Sequence, residues 1–333
     1  MRILALVPGG IGDQILFFPT LEDLKRSYPN ARIDVIVEPR AKDAYRVCKF
    51  LHDKSLQVLP FDFVDRNGLA DWGNLLGVVR DREYDAVISL ERRPLFKVLL
   101  WLSGIPTRVG YRDLTFDDWF LNAAVERKTE QYLPLVNHDL LQGLGLNTPC
   151  PDLSVTLLKE DLNWAEAEQD RLGVKNSGYI LAYGGSGSLC ETQGSDGIYP
   201  VEQWQQIVEQ IQQRQPQLPI VWIEEPENPE LSQQLAGACP GLKVTSAPDL
   251  GKLAGMVAAA NLMLCTDSVP LHLAVALQTY TIALFGPTTA KKRLPSPTDR
   301  GSDAEVRFLS IQSPTGKLAD ISPETVLDKV WGS

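Results

Sequence analysis

Apolar residues recur along the first half of the chain in short continuous runs, separated by segments of helical periodicity. Each run is short enough for one buried strand, and parallel strands need a crossover of a dozen or more residues between them. The alternation therefore predicts an open, doubly wound parallel sheet. The predicted strands lie at residues 2–7, 33–37, 57–59, 86–90 and 108–110, and the predicted helices follow the first run and lie at 96–102.

The second half repeats this alternation after an interruption. Asn147-Thr148-Pro149-Cys150-Pro151 breaks both periodicities and is typical of a linker. We therefore predict an α/β fold with two Rossmann-like domains, at 1–150 and 151–333. The strands predicted in the second domain lie at 179–183, 220–223, 262–265 and 281–285, and its helices at 201–214, 233–238, 250–260 and 271–277.

Composition narrows the classes of function. A length of 333 residues exceeds the usual size of one hydrophobic core, which agrees with two domains. The net charge of −10 argues against a nucleic-acid partner, because such a partner requires a cationic surface. Five cysteines without a CxxC pair indicate reduced thiols and no structural metal site. The apolar run at 3–7 is too short for a signal-peptide core, so we expect a cytoplasmic protein.

The first strand leads into a glycine loop, Gly10-Ile11-Gly12, and then into a helix. Glycine lets the backbone approach a ligand, and a helix N-terminus favours negative charge. A dinucleotide fingerprint would require a third glycine where Ile15 stands, so a nicotinamide cofactor is not predicted. Asp13 follows the loop. Its carboxylate could cap free amides, which is the simpler interpretation, or act as a general base.

A second loop ends the strand at 262–265. Thr266-Asp267-Ser268 precedes Pro270, which opens a helix that contains His272. The hydroxyls and the N-terminal amides would make a diphosphate site, with the histidine about one turn into the helix. The alternative is a well-capped core helix whose histidine is satisfied. The spacing alone does not choose between these interpretations.

Together these motifs resemble glycosyltransferase family 9, the ADP-heptose lipopolysaccharide heptosyltransferase family, over nearly the whole chain. The family's DSGPxHLAxAL block is matched by residues 267–277 (DSVPLHLAVAL), and its FGPT by residues 285–288. Its early Gly-Asp pair and proline are matched by Gly12-Asp13 and Pro19. Residues 86–111 resemble its acceptor-side segment, and residues 200–204 resemble its Trp-Pro-x-x-x-Trp helix entry.

The resemblance implies a GT-B enzyme whose two Rossmann-like domains face a cleft, and an inverting transfer from a nucleotide-sugar without a metal or other cofactor. Asp13 takes the role of the base that deprotonates the acceptor hydroxyl. An ADP-linked donor is favoured. The expected donor-binding residues are Gly185, Ser186, Glu225, Thr266, Asp267, Ser268, Val269 and His272, and the expected acceptor-binding residues are Gly12, Arg92, Arg93 and Arg112.

Glu225 is expected at the carboxyl edge of the strand at 220–223, where its carboxylate could accept from the donor ribose. A solvated acidic loop that also includes Glu224, Glu227 and Glu230 is the alternative.

Three positions depart from the family pattern. The family's lysine before the Trp-Pro pair is absent from residues 194–199, and Val269 replaces a glycine. Residues 92–96 replace a polar Gly, Lys and Ser pattern on the acceptor side, so the heptose acceptor is not carried over. Another cation must meet the leaving diphosphate, or activity falls. Lys291, Lys292 and Arg293 are candidates, and a solvated basic run is the alternative.

We therefore expect a glycosyltransferase that acts on a cell-envelope glycolipid, lipopolysaccharide or polysaccharide. The alternatives are a sugar-nucleotide-binding protein with weakened catalysis and a nucleotide-sugar epimerase of similar fold. Membrane contact is expected to be peripheral at most, on the inner face of the plasma membrane, with scattered surface arginines as the simpler account. This membrane contact would use Arg92, Arg93, Lys97, Arg108 and Arg112.

The last helix is a candidate to pack back on the first domain.

Overall fold

The computed structural model of the chain describes residues 1–63, 65, 68–113, 117–185, 198–225, 229–296 and 307–332. It divides into two compact units, Met1–Ser154 and Val155–Ser333, close to the boundary predicted after residue 150. Within the described residues, no helix has the length and hydrophobicity that crossing a membrane demands.

The first unit contains six parallel strands in the order β3-β2-β1-β4-β5-β6. Central strands are continuous apolar runs because both of their faces are covered, as in β1, where five of six residues are buried. Helix α1 packs on α4, and α2 packs on α3. The strands are β1 Arg2–Val7, β2 Arg32–Val37, β3 Leu56–Pro60, β4 Ala86–Ser89, β5 Thr107–Arg112 and β6 Ala123–Glu126, and the helices are α1 Ile11–Ser27, α2 Leu69–Asp81, α3 Pro94–Ser103 and α4 Leu133–Asp139.

The second unit contains another six parallel strands, in the order β12-β11-β10-β7-β8-β9. When this order is read from β9 to β12 and the strands are numbered within the unit, it is the same as the order in the first unit. The strands are β7 Ile180–Tyr183, β8 Ile220–Ile223, β9 Lys243–Thr245, β10 Leu262–Thr266, β11 Thr281–Phe285 and β12 Phe308–Gln312. The helices are α5 Lys159–Leu172, α6 Val201–Arg214, α7 Glu230–Ala238, α8 Leu250–Ala259, α9 Val269–Ala276, α10 Ala290–Arg293 and α11 Pro323–Trp331.

A large apolar core supports the second sheet. The rings of Trp204 on α6 and Trp222 on β8 meet edge to face at a centroid distance of 5.2 Å. The last helix, α11, joins this core through Val326 and packs on α6. This contact lies within the second unit, and the packing of the last helix on the first domain stays a prediction.

Both units are doubly wound Rossmann-like domains, as predicted. In such sheets the strand order reverses between the first and fourth strands, and ligands bind beyond the carboxyl ends of the strands at that point. These points lie after β1 and β4 in the first unit and after β7 and β10 in the second.

Candidate active site

Asp13 lies in the first turn of α1, directly beyond the carboxyl end of β1. Its Oδ2 accepts a hydrogen bond from the backbone N–H of Gly10 at 2.9 Å, and the side chain is exposed. The capping interpretation is therefore correct. The carboxylate is exposed, and carboxylate oxygens accept several hydrogen bonds, so the base role stays a prediction.

Gly9 makes this arrangement possible. Its φ of +97° lies in the left-handed region that glycine adopts without strain. A Cβ at Gly9 would lie only 2.3 Å from Oδ2 of Asp13, so a side chain there would displace the carboxylate. Sequence analysis considered Gly10 and Gly12 and missed Gly9, although it belongs to the same loop.

The predicted acceptor-side arginines follow β4 and are tied to carboxylates. Arg92 makes a bidentate pair with Asp113, with nitrogen–oxygen distances of 2.8 and 3.1 Å. Arg93 donates to Glu91 at 2.8 Å, and the backbone amides of both arginines donate to the same carboxylate. Each arginine side chain is nearly half exposed. The two arginines are thus held in place with part of their charge compensated.

Lys97 does not reach the surface, which corrects the expectation that it faces anionic lipid. Its ammonium is buried on α3 and lies 2.7 Å from Oδ2 of Asp117, which is fully buried. It lies 3.4 Å from the carboxylate of Asp113. Arg92, Asp113, Lys97 and Asp117 thus form a chain of alternating charges at the carboxyl ends of β4 and β5. Of the two other predicted acceptor residues, Arg112 is exposed on β5, and Gly12 lies in the first turn of α1 and is partly buried.

In the second unit, the turn after β10 brings together the predicted residues Thr266, Asp267, Ser268 and His272. Ser268 is the N-cap of α9, but its hydroxyl donates to the carbonyl of Thr266 at 2.9 Å and makes no side-chain cap. Two buried polar atoms at this turn, Thr266 Oγ1 and His272 Nδ1, have no hydrogen-bond partner in the described part of the chain. The turn therefore holds two buried polar groups that no described residue satisfies.

The histidine at this turn is neutral at physiological pH. Burial, and to a lesser extent the positive charge of Arg293, lowers the pKa of His272 to about 4. Its imidazole can therefore donate or accept a hydrogen bond but cannot supply positive charge. The guanidinium of Arg293 on α10 lies 3.2 Å from the carboxylate of Asp267 and does supply it.

The other predicted donor residues lie beyond β7 and β8. Gly185 has a φ of +101°, and Glu225 accepts a hydrogen bond from the hydroxyl of Tyr183 at 2.7 Å. Ser186 lies outside the described residues, as do most of the positions where the family lysine is missing. Val269 begins α9 and is partly buried. Among the described residues, no three His, Cys, Asp or Glu side chains are grouped as a metal site would require.

The known proteins that this chain is similar to include two relatives and one solved structure. The chain is 23% identical to the photosynthetic NDH subunit of subcomplex B 1 from Arabidopsis thaliana, over 98% of this chain and 72% of that protein. It is 23% identical to lipopolysaccharide heptosyltransferase 3 from Escherichia coli K12, over 83% of this chain and 80% of that protein. The structure of E. coli ADP-heptose lps heptosyltransferase II shares its fold, with a TM-score of 0.74 at 16% identity over 100% of this chain and 98% of that one.

A family model decides the assignment. The model of glycosyltransferase family 9 (heptosyltransferase) matches residues 72–301, which is well over half of the chain. The matched region contains the turn after β10, the Gly286-Pro287-Thr288 loop and the acceptor-side segment after β4. The chain therefore belongs to glycosyltransferase family 9 and is a glycosyltransferase.

Proposed function

We propose that this enzyme moves a heptose-like sugar from an ADP-linked donor to a cell-envelope glycolipid, lipopolysaccharide or polysaccharide, with inversion and without a metal. The proposal rests on an exposed carboxylate at the switch point of the first unit and on a polar turn with a neighbouring guanidinium at the switch point of the second. Asp13 belongs to the first, and Ser268 and Arg293 to the second. The ADP and heptose parts rest on the names of the E. coli relatives.

In this mechanism the acceptor binds the first unit, and its hydroxyl hydrogen-bonds to Asp13. A hydroxyl is a poor nucleophile until a base takes its proton, and a positioned carboxylate does so as the oxygen attacks the anomeric carbon. The bond from that carbon to the diphosphate breaks as the new glycosidic bond forms. The proton stays on Asp13, and the nucleoside diphosphate leaves with the electron pair. Attack opposite the leaving group inverts the anomeric centre.

The second unit stabilises the charge that grows on the leaving diphosphate. Ser268 makes no side-chain cap, so the backbone N–H of Val269 at the start of α9 can donate to a phosphate oxygen. Pro270 has no N–H, and that of Leu271 donates to the carbonyl of Ser268 at 3.1 Å. Thr266 and neutral His272 offer further hydrogen bonds. Glu225, which accepts from Tyr183 at the carboxyl edge of the sheet, would accept from a ribose hydroxyl.

A second candidate function is nucleotide-sugar binding without efficient transfer. Two observations favour it. The Arabidopsis relative, which aligns with nearly all of this chain, is named as a subunit of a photosynthetic NDH subcomplex rather than as a transferase. In addition, no lysine or arginine occurs between Lys175 and Arg214, where the family lysine is expected.

A nucleotide panel followed by a transfer assay tests the proposal. ADP at about 100 times its dissociation constant should stabilise the protein by about 2.7 kcal/mol against thermal unfolding. UDP and GDP should give much smaller shifts. ADP-heptose with a cell-envelope glycolipid acceptor should then yield an inverted product. Donor binding without transfer to any acceptor would favour the second candidate, and conversion of the donor without an acceptor would indicate an epimerase.

We also propose that the first unit meets its acceptor at a membrane surface through an apolar patch formed by α3 and residues 119–120. The patch consists of Leu95, Trp101, Leu102, Trp119 and Phe120. Its first four side chains are 47–79% exposed, and the rings of Trp101 and Phe120 are in edge contact at 6.4 Å. Tryptophan favours the boundary between water and lipid, because its ring is apolar and its N–H is polar.

Charge near this patch favours an anionic lipid surface. The guanidinium of Arg108 lies beside the patch and donates to the carbonyls of Phe120 and Ile105, at 2.7 and 2.6 Å. Carbonyl partners leave its net charge in place. Arg92 and Arg93, which the sequence had offered for this role, are instead paired with carboxylates. The proposed contact is therefore mainly apolar, with Arg108 as its cation.

Co-sedimentation with phosphatidylglycerol vesicles checks the membrane proposal. The double substitution Trp101→Ser and Trp119→Ser should weaken binding at least about tenfold, since each ring loses its buried apolar area. Leu162→Ser removes an exposed apolar side chain from the second unit and should leave binding unchanged. Equal binding of the wild type and the double variant, or no binding of the wild type at low salt, would contradict the proposal.

A further inference from the structure

We propose that Arg293 is the cation that meets the leaving diphosphate, in place of the lysine that this chain lacks. The inference rests on the proposed function and adds a residue to its donor site. Arg293 stands on the short helix α10, seven residues beyond Gly286 and outside the motifs that mark the family.

The geometry joins Arg293 to the turn that begins α9. Its Nε lies 3.2 Å from Oδ2 of Asp267, the residue directly before the N-cap Ser268. In the described part of the chain this is its only hydrogen bond to a side chain, so its two terminal nitrogens are not held by a carboxylate. The arginine side chain is 23% exposed and Asp267 is buried. A guanidinium that is held at Nε, with its two terminal nitrogens available, is suited to bidentate binding of phosphate oxygens.

The unsatisfied polar atoms around this pair indicate a ligand of matching chemistry. Thr266 Oγ1, His272 Nδ1 and Thr288 Oγ1 are buried and have no partner among the residues that the structure describes. Leaving buried polar groups unpaired is costly, so native proteins normally satisfy each of them. Thr266 and His272 flank the start of α9, and Thr288 lies in the loop that leads to α10. Phosphate oxygens at this turn would accept from such groups.

Neither His272 nor Lys291 supplies the charge at this turn. His272 is neutral because burial lowers its pKa to about 4. Lys291 is exposed, and no contact joins it to the turn after β10. Asp267 makes a cation necessary, because an unpaired carboxylate beside the diphosphate would repel it. Arg293 therefore has two effects: it neutralises Asp267 and presents positive charge to the ligand.

Gln312 on β12 fixes the segment that carries Arg293. Its Nε2 donates to the carbonyls of Gly286 and Thr288, at 2.9 and 3.0 Å, and its Oε1 accepts from the backbone N–H of Ala290 at 3.2 Å. One side chain thus holds both the loop after β11 and the first residue of α10. Such a support keeps the guanidinium in a defined place before the ligand arrives.

Calorimetry with ADP and adenosine tests the role of Arg293, because adenosine lacks the phosphates. Arg293→Gln should weaken ADP about 10- to 100-fold, the usual effect of losing a charged hydrogen bond, and leave adenosine unchanged. Arg293→Lys should keep part of the affinity. Adding Asp267→Asn to Arg293→Gln should restore part of it, since the repelling carboxylate is gone. Lys291→Gln, two residues away, is the matched control and should bind ADP normally.

A structural role would weaken ADP and adenosine together, and that result would overturn the inference. An ADP affinity within about threefold of the wild type in Arg293→Gln would also overturn it. These binding measurements require no turnover. If transfer is absent while the phosphate-specific loss is observed, the proposed function fails and the assignment of Arg293 stands. If transfer proceeds normally in Arg293→Gln, the assignment fails and the proposed function stands.

Discussion

Replacing Asp13 by asparagine should abolish most of the transfer activity and leave the fold intact. The amide cannot take a proton from the acceptor hydroxyl, and general base catalysis typically contributes about 10²–10⁴-fold to a rate. The asparagine oxygen can still accept from the N–H of Gly10, which Asp13 now binds at 2.9 Å. The variant therefore separates the base from the cap. Single-turnover transfer assays should show the loss in the chemical step, with an unchanged affinity for ADP.

Asp249→Asn is the matched control for helix capping. Asp249 caps α8 by accepting from the backbone N–H of Lys252 at 3.0 Å, far along the chain from the proposed base. Its substitution can change stability but should not change the transfer rate. If Asp13→Asn turns over within a few-fold of the wild type, another group takes the proton, and the assignment of the base is wrong.

The second large effect concerns stability. Lys97→Met should lower the free energy of unfolding by about 3–5 kcal/mol, because it leaves the buried carboxylate of Asp117 without its cation. Adding Asp117→Leu should recover much of this loss, since a buried ion pair can be replaced by apolar groups at little net cost. Urea unfolding of the single and double variants measures both values.

Lys175→Met provides the contrast for this experiment. Lys175 pairs with Glu166 and Asp170 at the surface, where solvent screens the interaction, so its loss should change stability far less. If Lys97→Met were no more destabilising than Lys175→Met, the buried chain of charges would not stabilise the fold. The acceptor-side loop that holds Arg92 would then have to be positioned by other contacts.

The sequence pattern predicted the central parts of both sheets well. The predicted helix at 201–214 and the strand at 281–285 coincide with α6 and β11. Strands β6, β9 and β12 were not predicted, and all three lie at sheet edges. An edge strand has fewer covered positions, so its apolar run is short; β9 has only three residues, and Lys243 among them is exposed.

At the site, sequence analysis predicted motifs but missed pairings between distant residues. The block at 267–277 indicated a diphosphate turn, and the structure places its predicted residues Asp267, Ser268 and His272 at the turn after β10 together with Thr266. The pairing of Lys97 with Asp117 spans 20 residues along the chain, and that of Arg293 with Asp267 spans 26. The spacing of apolar and polar residues along the chain does not indicate contacts between such distant residues. Lys97 was therefore assigned to the surface, and Arg293 could not be distinguished from its basic neighbours.

Gly9 is a residue that a search for reactive side chains does not find. Gly9 brings no functional group to the site, yet the space beside its backbone is occupied by the carboxylate of Asp13. A search that ranks positions by reactive side chains would pass over it, and a design that grafted Asp13 onto another helix would omit it. In this loop, the space left by a missing side chain lets the carboxylate of Asp13 keep its position.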